Sequence, residues 1–374
     1  MSKVRIQTLT PIHIGSGEFL RNNVDFVEYQ EGNKSYIGII DPKKILELIG
    51  VEHIDAWMTA IEKRENIQDF VSRKNEHARP LDYISRKLEN KVVSIKEGDT
   101  LKICIHDGLG KPYIPGSSIK GAIRTAVLAT LPKTTTALNN IVKMKYNGKK
   151  DVSAKSVETE LFGCDPTSDI FRFIKIGDAY FNNECEFTAR LINLNIRGNK
   201  DLIDKSKAQL VEAISVDQCT EFTMKVDKDS YNKAKSQWSG KNPLGNFPEG
   251  MKDIASLFDL VNIHTTKLVK EEIDYWTNKK DKSGAELYIK NMKEILQKID
   301  LCKSGKECVL RIGHASGWRF MTGAWTEDLK NFKSDIVPAS RYNNEFKYKQ
   351  YDFPKSRRLD ENSGIWGFVK LSVE

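Results

Sequence analysis

The segment from Gly116 to Pro132 constrains the fold of this chain more than any other. Gly116-Ser117-Ser118 opens it and Pro132 closes it, the punctuation of a helix with a defined start and stop. Between them Ile119, Ala122, Ile123, Ala126, Val127 and Thr130 recur at helical spacing and form one apolar face. Such a face must be buried, and the neighbouring segments say against what. Residues 3–9 and Thr100–His106 alternate apolar and polar in strand fashion. Val24–Tyr29 and Ser35–Ile40 do the same across an Glu31-Gly32-Asn33 turn. The expected unit is therefore a helix laid on a mostly antiparallel sheet, which is α+β architecture.

The pattern repeats further on. Asp41-Pro42 should start a helix running to Ile49, with Asp41 capping free amides and Pro42 in the first turn. Residues 52–90 read as a charged helical insertion, and 133–170 as a polar, lysine-rich loop. Ile170–Phe181 reads as a strand, and Glu186–Ile196 and Leu210–Val226 as two long β-rich stretches. Residues 228–250 read as a loop, 251–276 and 284–299 as helices, and Cys308–Ile312 and Ile365–Val373 as strands. At 374 residues the chain has room for two domains. The expected division is 1–184, with the insertion near 52–90 and the basic loop at 133–170, and 185–374, with an insertion near 251–299.

Charge localises a candidate function. Between Asp107 and Asp151 there is no acidic residue, yet Lys111, Lys120, Arg124, Lys133, Lys143, Lys145, Lys149 and Lys150 lie there, as many as the chain's net charge of +8. A concentrated basic field points to a polyanionic partner such as nucleic acid, although a solvated lysine-rich loop would read the same way. At the start of the 116–132 helix, Ser117 and Ser118 sit where amides are unpaired, and Lys120 and Arg124 are four residues apart. That is a candidate phosphate clamp; a capped amphipathic helix is the plain alternative. It is not a Walker A motif, because Gly116 is followed by Ser-Ser. Glycine turns follow strands at Gly15-Ser16-Gly17, Gly108-Leu109-Gly110 and Gly313-His314-Ala315-Ser316-Gly317, where backbone amides can approach phosphates. Residues 340–358 interleave aromatics at 342, 346, 348, 351 and 353 with Arg341, Lys347, Lys349, Lys355, Arg357 and Arg358, a composition suited to stacked bases and phosphates.

Catalysis finds little support. Among His13, His53, His77, His106, His264 and His314 no pair has the spacing of a metalloprotease helix. Cys302 and Cys308 are the closest cysteines and fit no common zinc spacing, so no metal and no cofactor is expected. All six cysteines read as reduced. No apolar run reaches about 20 residues and the N-terminus lacks a signal-peptide core, so a cytoplasmic location is the expectation. Asp178, following a strand, reads as a turn cap.

Taken together, Pro11-Ile12-His13-Ile14-Gly15-Ser16-Gly17 and Ile114-Pro115-Gly116-Ser117-Ser118-Ile119-Lys120-Gly121-Ala122-Ile123-Arg124 resemble the RAMP superfamily of CRISPR proteins. Ile176-Gly177-Asp178-Ala179-Tyr180-Phe181 is similar to a strand that these proteins often show after the first helix. Leu310-Arg311-Ile312-Gly313-His314-Ala315-Ser316-Gly317-Trp318, and Pro354 to Arg358 followed by Trp366 to Leu371, resemble the fifth-subunit family of the type III-A CRISPR Csm complex. One departure is visible: the family loop often reads Gly-Trp-Gly-x-Gly, and here His314, Ala315 and Ser316 separate the glycines.

The resemblance implies tandem ferredoxin-like (RRM-like) RAMP domains. It implies a non-catalytic subunit that binds CRISPR RNA (crRNA), caps its 3′ end and packs on neighbouring Csm backbone subunits. It further implies a part in 3′-end maturation, with trimming by recruited host nucleases. The RNA contacts it implies, together with those read above, are Ser16, Ser117, Ser118, Lys120, Arg124, Gly313, His314, Ser316, Gly317, Trp318, Arg319, Arg357 and Arg358. Alternatives from other classes are a metal-independent RAMP endoribonuclease using His13, His106 or His314, a backbone RAMP subunit, and a pure protein–protein adaptor.

Overall fold

The computed structural model describes residues 1–144, 148, 150–182, 184–198, 201–279, 283–340, 348 and 350–374. Strand β1 (Ser2–Thr8) turns Val4, Ile6 and Thr8 inward with the two-residue period of a half-buried strand. It is followed by β2 (Gly15–Arg21), β3 (Phe26–Glu31) and β4 (Lys34–Ile40). Helix α1 (Pro42–Ile49) starts as its sequence dictates: the Asp41 carboxylate accepts the Lys43 amide at 3.0 Å and Pro42 occupies the first turn. Helices α2 (Ile54–Glu62) and α3 (Ile67–Lys74) lead to β5 (Ile84–Asn90) and β6 (Thr100–Cys104). Helix α4 (Gly116–Thr130) buries Ile119, Ile123, Ala126 and Val127, the face its spacing predicts. Then come α5 (Lys155–Phe162), β7 (Ile174–Ile176), β8 (Glu186–Asn195), β9 (Ile203–Ile214) and β10 (Cys219–Val226). The chain continues through α6 (Lys228–Ser236), α7 (Ile254–Thr277), α8 (Ala285–Asp300), β11 (Glu307–Arg311), β12 (Ser356–Asp360) and β13 (Phe368–Val373).

Two sheets organise these elements. One runs β7-β10-β1-β13-β11, antiparallel throughout. The other runs β2-β6-β9-β8-β5-β4-β3, with β12 also paired to β8. Each takes strands from both sides of residue 184, and β1 lies hydrogen-bonded between β10 and β13. The largest core lies where α4 and α7 meet the first sheet, with Val4, Ile6, Ile123, Phe258, Val261 and Leu371 fully buried. Each such side chain contributes about 1.5–3 kcal/mol by leaving water. A second core joins α7 and α8 to Leu194, Leu359 and Phe368. A third packs α1, α2 and α3 on β3 and β4 through Ile45, Trp57, Phe70 and Val27. The α+β architecture expected from the alternating patterns is what the chain adopts. Among the described residues no helix is long and apolar enough to cross a membrane.

Four sequence expectations are corrected. The insertion at 52–90 is helical only in its first part; Ile84, Leu88 and Asn90 face inward at strand period, and Arg86, Lys87 and Glu89 between them mask the strand. The loop at 133–170 holds α5 and a short hairpin of Val142–Met144 with Lys150–Val152. Residues 170–181 begin with a tight helical turn (Ile170–Phe173), and only three of them belong to β7. Residues 228–236 are helix α6, capped by the Asp227 carboxylate on Ser230.

Candidate nucleic-acid interface

Two glycine turns from opposite ends of the chain meet over the second sheet. The first is the link between β1 and β2. Ile12 exchanges backbone hydrogen bonds with Ile214 at 3.0 and 2.8 Å, which anchors the link on β9. His13 is thereby buried, with Nδ1 2.7 Å from the Glu212 carbonyl oxygen. The second turn follows β11. The His314 amide donates to the His13 carbonyl at 2.9 Å, and the two imidazoles stand edge to face 5.6 Å apart. Gly313 is required here: its φ is +76°, and a Cβ would lie 2.6 Å from the His13 carbonyl oxygen. His314 Nε2 lies 3.0 Å from Gln209 Oε1.

Together the turns line a groove of about 390 Å³ with Phe19, Lys102 and Met321. Phe19 is 56% exposed, so ring surface is open to a ligand. It pairs with Lys102 across β2 and β6, and the ammonium sits 5.6 Å from the ring centroid. Gly17 has φ +93° with open space where a side chain would be, so its backbone is accessible. Lys102 and Glu18 are the charged residues lining the groove, and Arg358 lies close enough to act on Lys102. Burial lowers the Lys102 pKa and the nearby Arg358 lowers it further. Burial, with His13, Lys102 and Arg358, brings His314 down to about 4. Burial also lowers His13, against the Glu212 carbonyl that raises it. Arg358 depresses Lys102 while Asp204 acts on Arg358 and the Glu18 carboxylate lines the groove beside Lys102, so the cations are shared between the fold and any polyanion.

Beneath the groove lies a buried charge cluster. Arg86 pairs with Glu212 and, at 3.2 Å, with Glu186; Glu186 also holds His106 Nε2 at 3.0 Å. Burial lowers the His106 pKa, but the Glu186 bond together with the Glu186 and Glu212 charges outweighs it and the net shift is upward. Cys104, Glu186 and Glu212 lie close enough together to share a cation. The guanidinium of Arg86 already pairs with both carboxylates, and burial pushes the Cys104 thiol well up, which keeps it protonated and a poor ligand. The cluster instead fixes the floor: Glu212 accepts the Cys104 amide at 2.8 Å while its own carbonyl faces His13.

The expected contacts separate into groups. Gly313 and His314 line the groove, and Ser16 lies in its exposed rim, its hydroxyl accepting the Glu18 amide at 3.1 Å. Ser316 is buried and donates to the Gly313 carbonyl at 2.8 Å, which shapes the turn; Gly317 has φ +77° and open space around it. Arg358 donates to the Lys207 carbonyl at 3.0 Å and remains close enough to Lys102 to lower its pKa.

At α4, Ser117 is exposed and Ser118 half-buried. The positive end of this helix is already served by the chain, because the Gly116 amide donates to Asp178 Oδ1 at 2.7 Å. Asp178 is thus a helix cap. Gly116 permits that approach, since a Cβ would meet the Ile176 carbonyl at 2.3 Å. Lys120 is half-buried, and desolvation lowers its pKa despite Asp169. Arg124 stacks 4.1 Å from the Phe162 ring and pairs with Asp169 at 2.8 Å and Glu158 at 3.2 Å, so its charge is spent within the fold.

Three more expected contacts are interior. Arg357 holds the buried Glu272 carboxylate with bonds of 2.6 and 2.7 Å. Arg319 lies 2.9 Å from the same carboxylate and chelates Glu327 at 3.1 and 2.7 Å. Trp318 packs on Phe353, with ring centroids 4.8 Å apart. An exposed phosphate contact at Arg357 or Arg319 therefore gives way to a buried Arg–Glu–Arg arrangement. Of the 340–358 aromatics, Tyr348, Tyr351 and Phe353 are described; 341–347, 349 and the loop lysines Lys145 and Lys149 fall outside the described residues. Phe19, Lys102 and Gln209 went unnoticed in the sequence. The signal available was Lys102 interrupting the apolar Leu101 and Ile103 on β6.

The geometry can be set beside known proteins. A family model described as RAMP superfamily matches residues 5–320. The protein named CRISPR system Cms protein Csm5 of Methanocaldococcus jannaschii is 31% identical over 196 residues, 50% of this chain and 44% of that protein. Its namesake from Streptococcus thermophilus is 31% identical over 150 residues, 35% of this chain and 39% of that protein. The matching region spans less than half the length of these curated relatives. A chain in the cryo-EM structure of a Csm–crRNA–target RNA ternary complex of a type III-A CRISPR-Cas system shares the fold with a TM-score of 0.69 and 19% identity, over 100% of both chains. The crystal structure of T. onnurineus Csm5 shares it with a TM-score of 0.65 and 18% identity, over 98% of this chain and 99% of that one.

Proposed function

The chain belongs to the RAMP superfamily, and from that premise we propose that it is an RNA-binding, structural subunit of a type III-A CRISPR Csm effector complex. In this reading it caps the 3′ end of the crRNA, packs on the neighbouring backbone subunits and supports 3′-end maturation by recruited nucleases in antiviral defence. The observation that carries the reading is the groove where the Gly15–Gly17 and Gly313–His314 turns meet. Accessible glycine backbone, an exposed Phe19 and the cation Lys102 face one concavity, with Arg358 close enough to act on Lys102. Backbone amides and cations suit phosphates, and the ring offers a stacking plane that needs no sequence match. A subunit that holds RNA of any spacer sequence needs that kind of contact. The resemblance to proteins named Csm5, and to a chain in a Csm–crRNA–target RNA complex, supports the choice of complex and of RNA.

The edge-to-face pair of His13 and His314 raises the endoribonuclease alternative. General acid–base cleavage needs one protonated and one neutral imidazole near neutral pH. Burial lowers both of these, which works against a protonated partner within the pair, so it suits hydrogen bonding to RNA better than cleavage. Incubating the full chain with end-labelled crRNA, with and without divalent metal, tests the reading. Binding without cleavage, with protection confined to the 3′ end in the assembled complex, is expected. Cleavage that disappears in His314→Ala would make the protein a nuclease.

A further inference from the structure

The aromatic residues singled out at 348–353 are gathered by the fold into a second concavity. Tyr348, Tyr351 and Phe353 line a cleft of about 730 Å³ with Tyr275, Lys279 and Lys333. That volume is in the range that holds a small organic ligand, roughly 300–1,000 Å³. Its chemistry is that of a nucleotide site. Tyr348, Tyr351 and Tyr275 are each partly exposed, so ring surface remains for a base. Cations surround the rings: Lys279 Nζ lies 3.9 Å from the Tyr275 centroid and Arg197 lies 5.9 Å from that of Tyr351. Lys333 is exposed and makes no ion pair among the described residues. Asp352, which already takes the Tyr275 hydroxyl at 3.2 Å, adds an acceptor for base N–H groups, whereas the Glu327 carboxylate is held by Arg319. One short segment reaches both concavities: Arg319 lines the cleft, and Met321, two residues on, lines the groove.

We propose that this cleft takes a splayed-out nucleotide of the single-stranded RNA leaving the Gly15–Gly313 groove, its base against Tyr348 and Tyr351 and its phosphate toward Lys333 and Arg197. The inference rests on the groove being the RNA track. It adds a base-stacking subsite of the kind used in sequence-tolerant single-strand binding, where every base offers a π-face.

The test uses the full chain with 4-thiouridine-labelled single-stranded RNAs of two lengths, one filling only the groove and one extending beyond it. The double variant Tyr351→Ala, Lys333→Ala should lower affinity for the long RNA about tenfold, the effect of one lost stacked base, and leave the short RNA unchanged. Long-RNA crosslinks should fall on peptides containing Tyr348 or Tyr351. Long RNA that binds normally and crosslinks only to groove peptides would overturn the subsite while leaving the groove reading intact. Equal losses for both lengths would also overturn it, as a general disturbance of the fold. If the unaltered chain binds neither RNA, the groove reading itself fails and the subsite with it. Protection of the cleft by a neighbouring Csm subunit in an RNA-free complex would assign it to a protein partner and overturn the proposal.

Discussion

Replacing Gly313 by Ala perturbs the junction on which the groove depends. The residue sits at φ +76°, where any side chain costs about 1–2 kcal/mol through its clash with the local backbone. The new Cβ would also stand 2.6 Å from the His13 carbonyl oxygen and 2.8 Å from Ile14 Cδ1. An oxygen on a link anchored by paired Ile12–Ile214 bonds cannot move aside cheaply, so the two turns must separate. Separation loosens the 2.9 Å bond from the His314 amide to His13, worth about 1 kcal/mol. The total is about 2–3 kcal/mol. Gly317→Ala is the control. It has nearly the same φ, +77°, but nothing within 4 Å of the added Cβ, so only the conformational cost of about 1–2 kcal/mol applies. Urea denaturation monitored by tryptophan fluorescence should show a lower midpoint for Gly313→Ala than for Gly317→Ala at equal m-value. RNA affinity should fall in Gly313→Ala. Equal midpoints for the two variants would refute the close approach of the turns.

Glu272→Gln keeps the shape but leaves Arg357 and Arg319 facing each other in the interior; a loss of about 3–5 kcal/mol is expected in the same denaturation assay. Because the arginines hold Glu272 down to about 2 against burial, its contribution is present above the ordinary carboxylate range and disappears as pH falls from about 4.5 toward 2. Arg124→Ala removes a cation stacked on Phe162 and Phe171, so thermal stability should drop more than RNA affinity, and a salt-sensitive loss of RNA binding at unchanged stability would contradict its interior role. Burial, with Lys267 and Lys133, brings His264 to about 4; the unfolded imidazole, with its ordinary pKa of about 6.5, takes up protons the folded one refuses. Stability should therefore fall as pH drops from about 6.5 toward 4, by about 2 kcal/mol at pH 5, with His314 acting in the same direction and His106, raised by Glu186, opposing it. Midpoints at pH 7 and pH 5 check this, and His264→Gln should flatten the difference.

Local signals carried much of the fold. The caps at Asp41 and Asp227, and the apolar face of α4, are properties of adjacent residues and can be seen without tertiary context. Strand β5 hid behind Arg86, Lys87 and Glu89, charges that the fold answers with partners far along the chain; Glu186 and Glu212 are one hundred or more positions away from Arg86. The same long-range pairing explains the site. The glycine turns at 15–17 and 313–317 were legible separately as places for close backbone approach, while their junction depends on β9 anchoring one and β11 delivering the other. Lys102 and Phe19 become a pair only through the register of β2 with β6. Conversely, Lys120, Arg124 and Arg357 carried the right charge in sequence, and their acidic partners Asp169, Glu158 and Glu272 are remote in it. A basic motif reports how much charge is available; only the fold determines how much of it remains for a ligand.

In the proposed function the Gly15–Gly313 groove binds the RNA backbone through Lys102. The most direct test is the salt dependence of crRNA affinity for the unaltered chain and for Lys102→Ala, a half-exposed position whose loss leaves the core intact. The account predicts weaker binding to every spacer sequence alike and a log–log salt slope shallower by about one. An unchanged slope and affinity would place the RNA elsewhere and contradict the account.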